Sequence, residues 1–328
     1  MPVISVVIPV YNGEKTIKKT INSVLKQTFT DFEIIVINAN SQDQTLKIIN
    51  EIKDYRIKIF TYPKANAAKN RNHGINHASG EFITFLDADD LWTIDKLEKQ
   101  YKALKENPKA AVSYSWTDAI DEYDNYIRPC SHQNWTGDVY SKLLLDDFVG
   151  SGSNAMVRAQ AFKEIGNFND SLTNAQDTDM WVRLAAKYHF IAVPKVQILY
   201  RITDNSMSSN VLGLEKSNLL VAERAFKEAP QSLQHLKSYR IANIYKLLCY
   251  KALSMPPEKH NIKATAWFLW QAIKNDLSLL QKPVIYKGWL KLAVVTFLPP
   301  SWATFILNKF PRLSNTTTFL GYIILDVN

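Results

Sequence analysis

VISVVIPV, residues Val3–Val10, is a run of mostly β-branched residues that shows no regular polar alternation. A strand of this kind is buried on both faces, as in a parallel sheet covered by helices. The text that follows keeps the same rhythm. In YNGEKTIKKTINSVLKQ, Ile17, Ile21, Val24 and Leu25 recur at helical spacing, which predicts a helix from about Glu14 to Lys26. FEIIVIN (Phe32–Asn38) reads as a second buried strand, and SQDQTLKIINEI starts a helix with Ser41 or Asp43 as its N-cap. RIKIF (Arg56–Phe60) is a third strand, and KANAAKNRNHGINHAS is a helix without a strong apolar stripe. GEFITFLDADD begins at Gly80 as a fourth strand and ends in three acids; IDKLEKQYKALKE is an amphipathic helix and AAVSYSW (Ala110–Trp116) a fifth strand. Strands alternating with helices across short connections specify an α/β domain with a mostly parallel sheet.

The rhythm changes after about residue 117. DEYDNYIR reads as a polar hairpin around Asp124-Asn125, SNAMVRAQAFKEIGNF as a strand running into a short helix, and VQILYRIT as a further strand. Between them DTDMWVRLAAKYH is a helix with Met180, Trp181, Leu184 and Ala185 on its buried side. Beyond about Asn210 the pattern is helical, roughly 212–228, 233–255 and 261–280. The apolar core of YKGWLKLAVVTFLPPSW is about a dozen residues, short of the ~20 that span a bilayer. The expected division is an α/β domain over residues 1–210 and a helical region over 211–328.

Charge follows the same division. Residues 1–210 carry 24 Lys and Arg against 25 Asp and Glu, whereas residues 211–328 carry 15 against 6. A basic end on an otherwise neutral chain points to an anionic partner, a membrane surface or a nucleic acid. No nucleic-acid module is visible, so nucleic acid is not expected. Cys130 and Cys249 match no metal or redox spacing, and residues 3–10 are too short and lack the basic lead of a secretory core. The expected compartment is the cytoplasm, with peripheral attachment to the inner face of the membrane.

In open α/β sheets ligands bind beyond the C-terminal ends of the strands. Tyr11 and Asn12 follow the first strand, a loop running to Asp43 follows the second, and Asp87, Asp89 and Asp90 follow the fourth. Three carboxylates on one loop repel one another unless a cation or a donor network compensates, and hard divalent cations take oxygen ligands. The competing reading is a helix start capped by Asp89 or Asp90, which leaves Asp87 unexplained. Arg71, in KNRNHGI, suits a diphosphate as a forked donor, although a lone arginine is more often a surface residue. His73 and His77 share a helix face without an evident third ligand. Asp177 and Asp179 open the helix of residues 177–188, as first-turn acids that favour the helix dipole or as a general base. No dinucleotide glycine fingerprint, P-loop or Ser-His-Asp signature is present.

Taken in order, these pieces resemble the inverting family 2 glycosyltransferases. They are Ile4–Asn12, the loop 38–43, K-N-R-N-H-G-I at 69–75, G-E-F-I-T-F-L-D-A-D-D at 80–90, Q-D-T-D-M-W-V-R-L-A at 176–185 and L-Y-R near 200. The resemblance covers about residues 3–207. It implies a GT-A fold, a Rossmann-like nucleotide-diphospho-sugar transferase domain, followed by a helical extension. It further implies that Pro9 and Tyr11 border the nucleobase, with Asn38 and Asp43 in the nucleotide loop. Arg71 would approach the nucleotide, Asp87 would lie near ribose and metal, and Asp89 would bind Mn²⁺ or Mg²⁺. Asp177 would be the base, with Gln176, Asp179 and Arg183 supporting.

Two departures stand out. Asn38-Ala39-Asn40-Ser41-Gln42-Asp43 replaces the family's usual Asp-Asp-Gly-Ser-Thr-Asp, and Gln176 replaces a Glu. An aspartate restored at Ala39 would be expected to tighten uridine nucleotide binding. The expected activity is metal-dependent transfer from a nucleotide sugar, a UDP-sugar, to a glycan or lipid-linked acceptor. The alternative is a non-catalytic nucleotide- or glycan-binding relative that serves as a membrane-surface scaffold. For the helical region the two readings are an interfacial membrane patch that uses Trp267, Trp270, Trp289 and Trp302, and a subdomain that packs them away.

Overall fold

In the computed structural model, residues 1–202 and 210–327 are described. Two compact units result, Met1–Leu143 with Asp147–Ser206, and Leu144–Asp146 with Met207–Asn328. The first contains β1 (Ile4–Val10), α1 (Ile17–Leu25), β2 (Phe32–Asn38), α2 (Thr45–Glu51), β3 (Ile57–Thr61), α3 (Ala67–His77) and β4 (Phe82–Phe85). After these come β5 (Leu91–Trp92), α4 (Lys96–Glu106), β6 (Ala110–Ile120), β7 (Tyr126–Ser131), α5 (Tyr140–Leu145, whose last two residues count with the second unit), β8 (Met156–Arg158), α6 (Ala159–Ile165), α7 (Gln176–Ala185) and β9 (His189–Arg201).

The strands form one sheet in the order β3-β2-β1-β4-β8-β6-β9-β5, with β7 on β6. β3, β2, β1 and β4 run parallel, as the unbroken apolar runs predict, whereas β8 is antiparallel to both β4 and β6. Residues of one parity on β1, Val6 and Ile8, join Ile17, Ile21, Leu97 and Leu104 in a core under α1 and α4. The other parity faces α3. A Cβ on Gly74 would lie 2.1 Å from Val7 Cγ1, so only glycine lets α3 rest this closely on β1. Phe85, paired in register with Val7, meets Phe168 edge-on at 5.2 Å, which brings the segment before α7 onto the same face as α3.

Some boundaries differ from expectation for local reasons. α1 starts at Ile17 because Glu14 is used elsewhere: its Oε2 accepts the Gln44 N–H at 2.9 Å. α2 starts at Thr45, and Ser41 does not cap it, since its hydroxyl accepts from Asn12 N at 3.0 Å. Neither Asp89 nor Asp90 caps α4. The chain first forms β5, with Leu91 and Trp92 paired to Leu199 and Ile198, and the helix begins after Asp95. The hairpin at Asp124 is present, with Asp124 at φ 72°.

The second unit contains α8 (Val211–Glu228), α9 (Leu236–Leu253), α10 (Ile262–Asn275), α11 (Pro283–Phe297), α12 (Pro300–Lys309) and α13 (Pro311–Ser314). Its core includes Ile244, Leu248, Phe268, Leu269, Leu292 and Phe319. Among the described residues no helix is long and apolar enough to cross a membrane.

Candidate active site

At the C-terminal end of β1 the chain turns through Asn12 at φ 51°, and at the end of β2 through Asn40 at φ 57°. Asparagine is one of the few residues that tolerates this left-handed conformation. Asn40 therefore meets the need that the family's usual glycine meets at that place. The two loops are laced together. Asn12 Oδ1 accepts from Gln42 N at 2.8 Å, and Thr45 Oγ1 accepts from Gly13 N at 2.8 Å.

Asp43, expected at the nucleotide, is committed to this lacing. Its Oδ2 accepts from Glu14 N at 3.1 Å and its Oδ1 from Thr45 N at 3.0 Å. Burial works against its charge, but these donors hold its carboxyl below the usual range. Asn38 is likewise occupied: Oδ1 accepts from Ser41 N at 3.1 Å and Nδ2 donates to Thr61 Oγ1 at 3.3 Å. Pro9 is buried in β1, while Tyr11 is 40% exposed with Lys64 Nζ 4.1 Å from its ring centroid.

Ala39 is 0% exposed, and its N–H donates to Val10 O at 2.8 Å. This geometry revises the expectation for an aspartate there. A carboxylate at a sealed position without a donor loses its hydration. Ala39→Asp is expected to lower stability by about 1–3 kcal/mol without tightening uridine nucleotide binding. Denaturant melts and nucleotide titration check this, and a gain in affinity at unchanged stability would reject it.

The centre of the site is Arg71, on the first half of α3 and 2% exposed. Its Nη2 donates to Asp87 Oδ1 at 2.7 Å and its Nη1 to Asp177 Oδ1 at 2.6 Å. One guanidinium thus joins the loop after β4 to the first turn of α7, with Arg71 itself 106 residues before Asp177. Burial opposes the charge of Arg71, but Asp177, Asp87 and Asp90 more than offset it and hold the cation. Its Nε is buried with no partner. Burial pushes the Asp177 carboxyl up to about 6, against the pull of Arg71 and with Asp87 and Asp147 adding to the rise. Ala175, just before α7, is held at φ 56°, a conformation that costs a non-glycine residue about 1–2 kcal/mol.

Three acids that look alike in sequence separate in space. Asp90 is 0% exposed; its Oδ2 accepts from Ser153 Oγ at 2.6 Å and its Oδ1 from Arg201 N at 2.9 Å. It is a structural acid that ties the end of β9 to the segment before β8. Asp87 has a side chain 31% exposed, and its backbone N–H donates to Ser153 Oγ at 3.0 Å. Asp89 forms no ion pair within 4 Å among the described residues; Arg201 Nε donates instead to its carbonyl at 2.8 Å. Burial, then Asp87, raises the Asp89 carboxyl to about 6. Two crowded hard oxygen donors, of which only Asp87 has a paired cation, fit a divalent ion that completes its shell with diphosphate and water. Among the described residues no cluster of three or more acidic, His or Cys side chains forms a protein-only cage.

The supporting residues divide. Gln176 is 4% exposed at the start of α7. Arg183 does not reach Asp177: Nε donates to Asp179 at 2.9 Å, and Nη1 and Nη2 donate to the Ile165 and Asn167 carbonyls at 3.1 and 2.9 Å. Arg183 and Asp179 therefore clamp the α6–α7 connection. His73 and His77 stack on Tyr62 and Phe60 at 3.7 and 3.6 Å.

Sequence reasoning missed Gly152, Ser153 and the part played by Arg201. The small polar run Ser151-Gly152-Ser153-Asn154 was the available signal, since such residues let another backbone or side chain come close. A Cβ on Gly152 would lie 2.4 Å from Arg71 Nη2 and 3.0 Å from Asp177 Oδ2. Gly152→Ala is expected to displace the buried guanidinium and lower kcat about tenfold or more. A variant with the parent's kcat would show that the pair can shift without consequence.

A family model described as glycosyltransferase like family 2 matches residues 5–253. An uncharacterized glycosyltransferase of Methanocaldococcus jannaschii is 31% identical over 217 residues, 63% of this chain and 74% of that protein. The Escherichia coli UDP-Glc:alpha-D-GlcNAc-diphosphoundecaprenol beta-1,3-glucosyltransferase WfgD is 32% identical over 210 residues, 63% of this chain and 80% of that protein. Other relatives are longer: the match spans 32% of a Rickettsia conorii glycosyltransferase and 37% of an Escherichia coli chondroitin synthase. Among solved structures, Staphylococcus aureus TarS 1–349 in complex with UDP aligns with a TM-score of 0.62 at 18% identity, over 96% of this chain and 92% of that one. The Pyrobaculum calidifontis mannosyltransferase PcManGT, in complex with GDP-Man and Mn²⁺, aligns at 0.58 and 18%, over 95% and 88%. Both likenesses speak to the fold, the GT-A architecture with helices after it. With the family model matching residues 5–253, this chain belongs to glycosyltransferase family 2.

Proposed function

We propose that this glycosyltransferase is an inverting, divalent-cation-dependent enzyme that moves a sugar from a uridine diphosphate donor to a glycan or lipid-linked acceptor in the cytoplasm. The observation that carries the reading is Arg71, whose single buried guanidinium pairs with both Asp87 and Asp177. An acid on the nucleotide loop and a candidate base are thereby held in fixed register. Uridine is favoured by the UDP complex of TarS and the UDP-glucose donor in the name of WfgD; the latter also names a lipid-diphosphate acceptor. The GDP-Man and Mn²⁺ complex of PcManGT supports the cation.

The acceptor hydroxyl attacks the anomeric carbon as the bond from that carbon to the diphosphate oxygen breaks. Asp177 takes the hydroxyl proton. Because Oδ1 is bound to Arg71, Oδ2 is the oxygen free to accept it. One displacement gives inversion, and the nucleoside diphosphate leaves. Asp87 and Asp89 would hold the cation, which when bound offsets charge on the leaving diphosphate. Arg71 supplies a fixed positive charge that holds Asp87 and Asp177 together behind the reacting groups.

Incubation with Mn²⁺, a panel of nucleotide sugars and lipid-diphosphate saccharide acceptors tests the reading. Release of UDP and formation of a glycoside of opposite anomeric configuration are expected. A retained configuration would reject Asp177 as the base of a single displacement. Release of GDP in place of UDP would reject the uridine assignment.

A further inference from the structure

We propose that α11 and α12 present a bilayer-facing surface by which the helical unit lies on an anionic membrane without crossing it. α11 is apolar on two opposite sides. Val284, Ile285, Gly288 and Leu292 are buried. Tyr286, Leu290 and Phe297 share the opposite face, at spacings of four and seven residues, and are 62%, 48% and 81% exposed. A helix that borders water places polar residues there. α12 departs further, burying only Ala303 while Trp302 and Phe305 are 62% and 60% exposed. Exposed aromatic surface on this scale marks an interaction site.

Charge decides what covers it. Residues 277–325 contain five basic residues, Lys282, Lys287, Lys291, Lys309 and Arg312, and no Asp or Glu. A second copy of the chain would bring this acid-free surface against itself, with like charges opposed. An anionic lipid surface instead complements it. Tyrosine and tryptophan suit the headgroup boundary, and lysines lay their methylene stems along apolar side chains while the amine stays wet. Lys309 sits among these aromatics, with Nζ 5.8 Å and 6.0 Å from the Phe305 and Phe310 ring centroids. Spanning is ruled out for α11 and α12, since no described helix is long and apolar enough. The surface is independent of the transfer chemistry and adds a membrane to the proposed lipid-linked acceptor.

Flotation of the full chain with phosphatidylcholine vesicles, with and without about 30% phosphatidylglycerol, tests the surface. Binding to the anionic vesicles is expected to exceed binding to neutral ones by about tenfold or more. The doubly substituted Trp302→Ser/Phe305→Ser variant, altered only at exposed positions, is expected to lose about tenfold in partitioning, and Lys309→Glu/Arg312→Glu a comparable amount. Both variants should keep the parent's melting temperature and its transfer to a water-soluble acceptor, which separates a failed surface from a failed site. Equal partitioning of parent and variants overturns the proposal. So does an absence of vesicle binding, or self-association in sedimentation that the same substitutions abolish.

Discussion

Asp177→Asn is expected to lower kcat about 10²–10⁴-fold, the usual contribution of a positioned general base, while leaving the affinity for a nucleoside diphosphate nearly intact. The substitution keeps the shape of the side chain and one oxygen for Arg71 Nη1, which lies 2.6 Å from Oδ1 in the parent. It removes the basic oxygen that would accept the hydroxyl proton. The pH dependence follows from the same environment. The base must be ionised, and burial places its pKa at about 6, so kcat/KM should rise with pH through about 6 and then level. Arg71 pulls that value down. Arg71→Gln should therefore move the acid limb to higher pH, in addition to weakening donor binding. An Asp177→Asn variant with the parent's rate, or an acid limb unmoved by Arg71→Gln, would remove Asp177 from the base role.

The parallel half of the sheet was legible because its pattern is local. Val3–Val10 and Phe32–Asn38 are continuous apolar runs, and strands of that composition have few alternatives. β6 and β9 run longer than expected, to Ile120 and from His189, because each extension pairs in parallel with the body of the other strand, His189–Val193 beside Ala110–Ser115 and Thr117–Ile120 beside Ile198–Arg201, a register that no short window contains. β5 has two residues and exists only because β9 lies beside it.

The site divides in the same way. Asp87, Asp89, Arg71 and Asp177 could be listed from their positions after strands and from ordered motifs. The single guanidinium that joins Asp87 to Asp177 could not, since it links segments far apart in sequence. The acids of DADD carry no local signal of which one is buried. Ser153 and Arg201, both distant along the chain, make Asp90 structural, while for Asp89 the pull of Arg201 is outweighed by burial and Asp87. Asp43 shows a second use that the sequence did not reveal. A carboxylate in the expected loop turned out to be committed to backbone N–H groups, a use that its spacing to Thr45 permits but does not dictate.

Asp89→Asn separates the cost of the acid loop from its use. A carboxyl whose folded pKa lies above its unfolded value holds its proton more tightly when folded, so the folded state loses stability as pH rises between the two values. For Asp89 that window runs from 3.8 to about 6, with burial the main cause and Asp87 the second. Above it the ionised loop is a standing cost, about 1–3 kcal/mol for Asp89 once its coupling to neighbouring acids is allowed for. Asparagine has no proton to lose. The variant is therefore expected to melt about 2–6 °C higher than the parent near pH 7.5, with the gap closing near pH 4. Transfer should fall about 10²–10³-fold, because the hard anionic donor for the cation is gone. The added stability that Mn²⁺ and UDP together give the parent should also disappear. That gain in stability at the expense of activity is what a strained functional site predicts, and a purely structural acid would lose stability on the same substitution. A lower melting temperature, or parent-like transfer with Mn²⁺, would return Asp89 to the scaffold. An unchanged response to Mn²⁺ with UDP would place the cation on Asp87 alone.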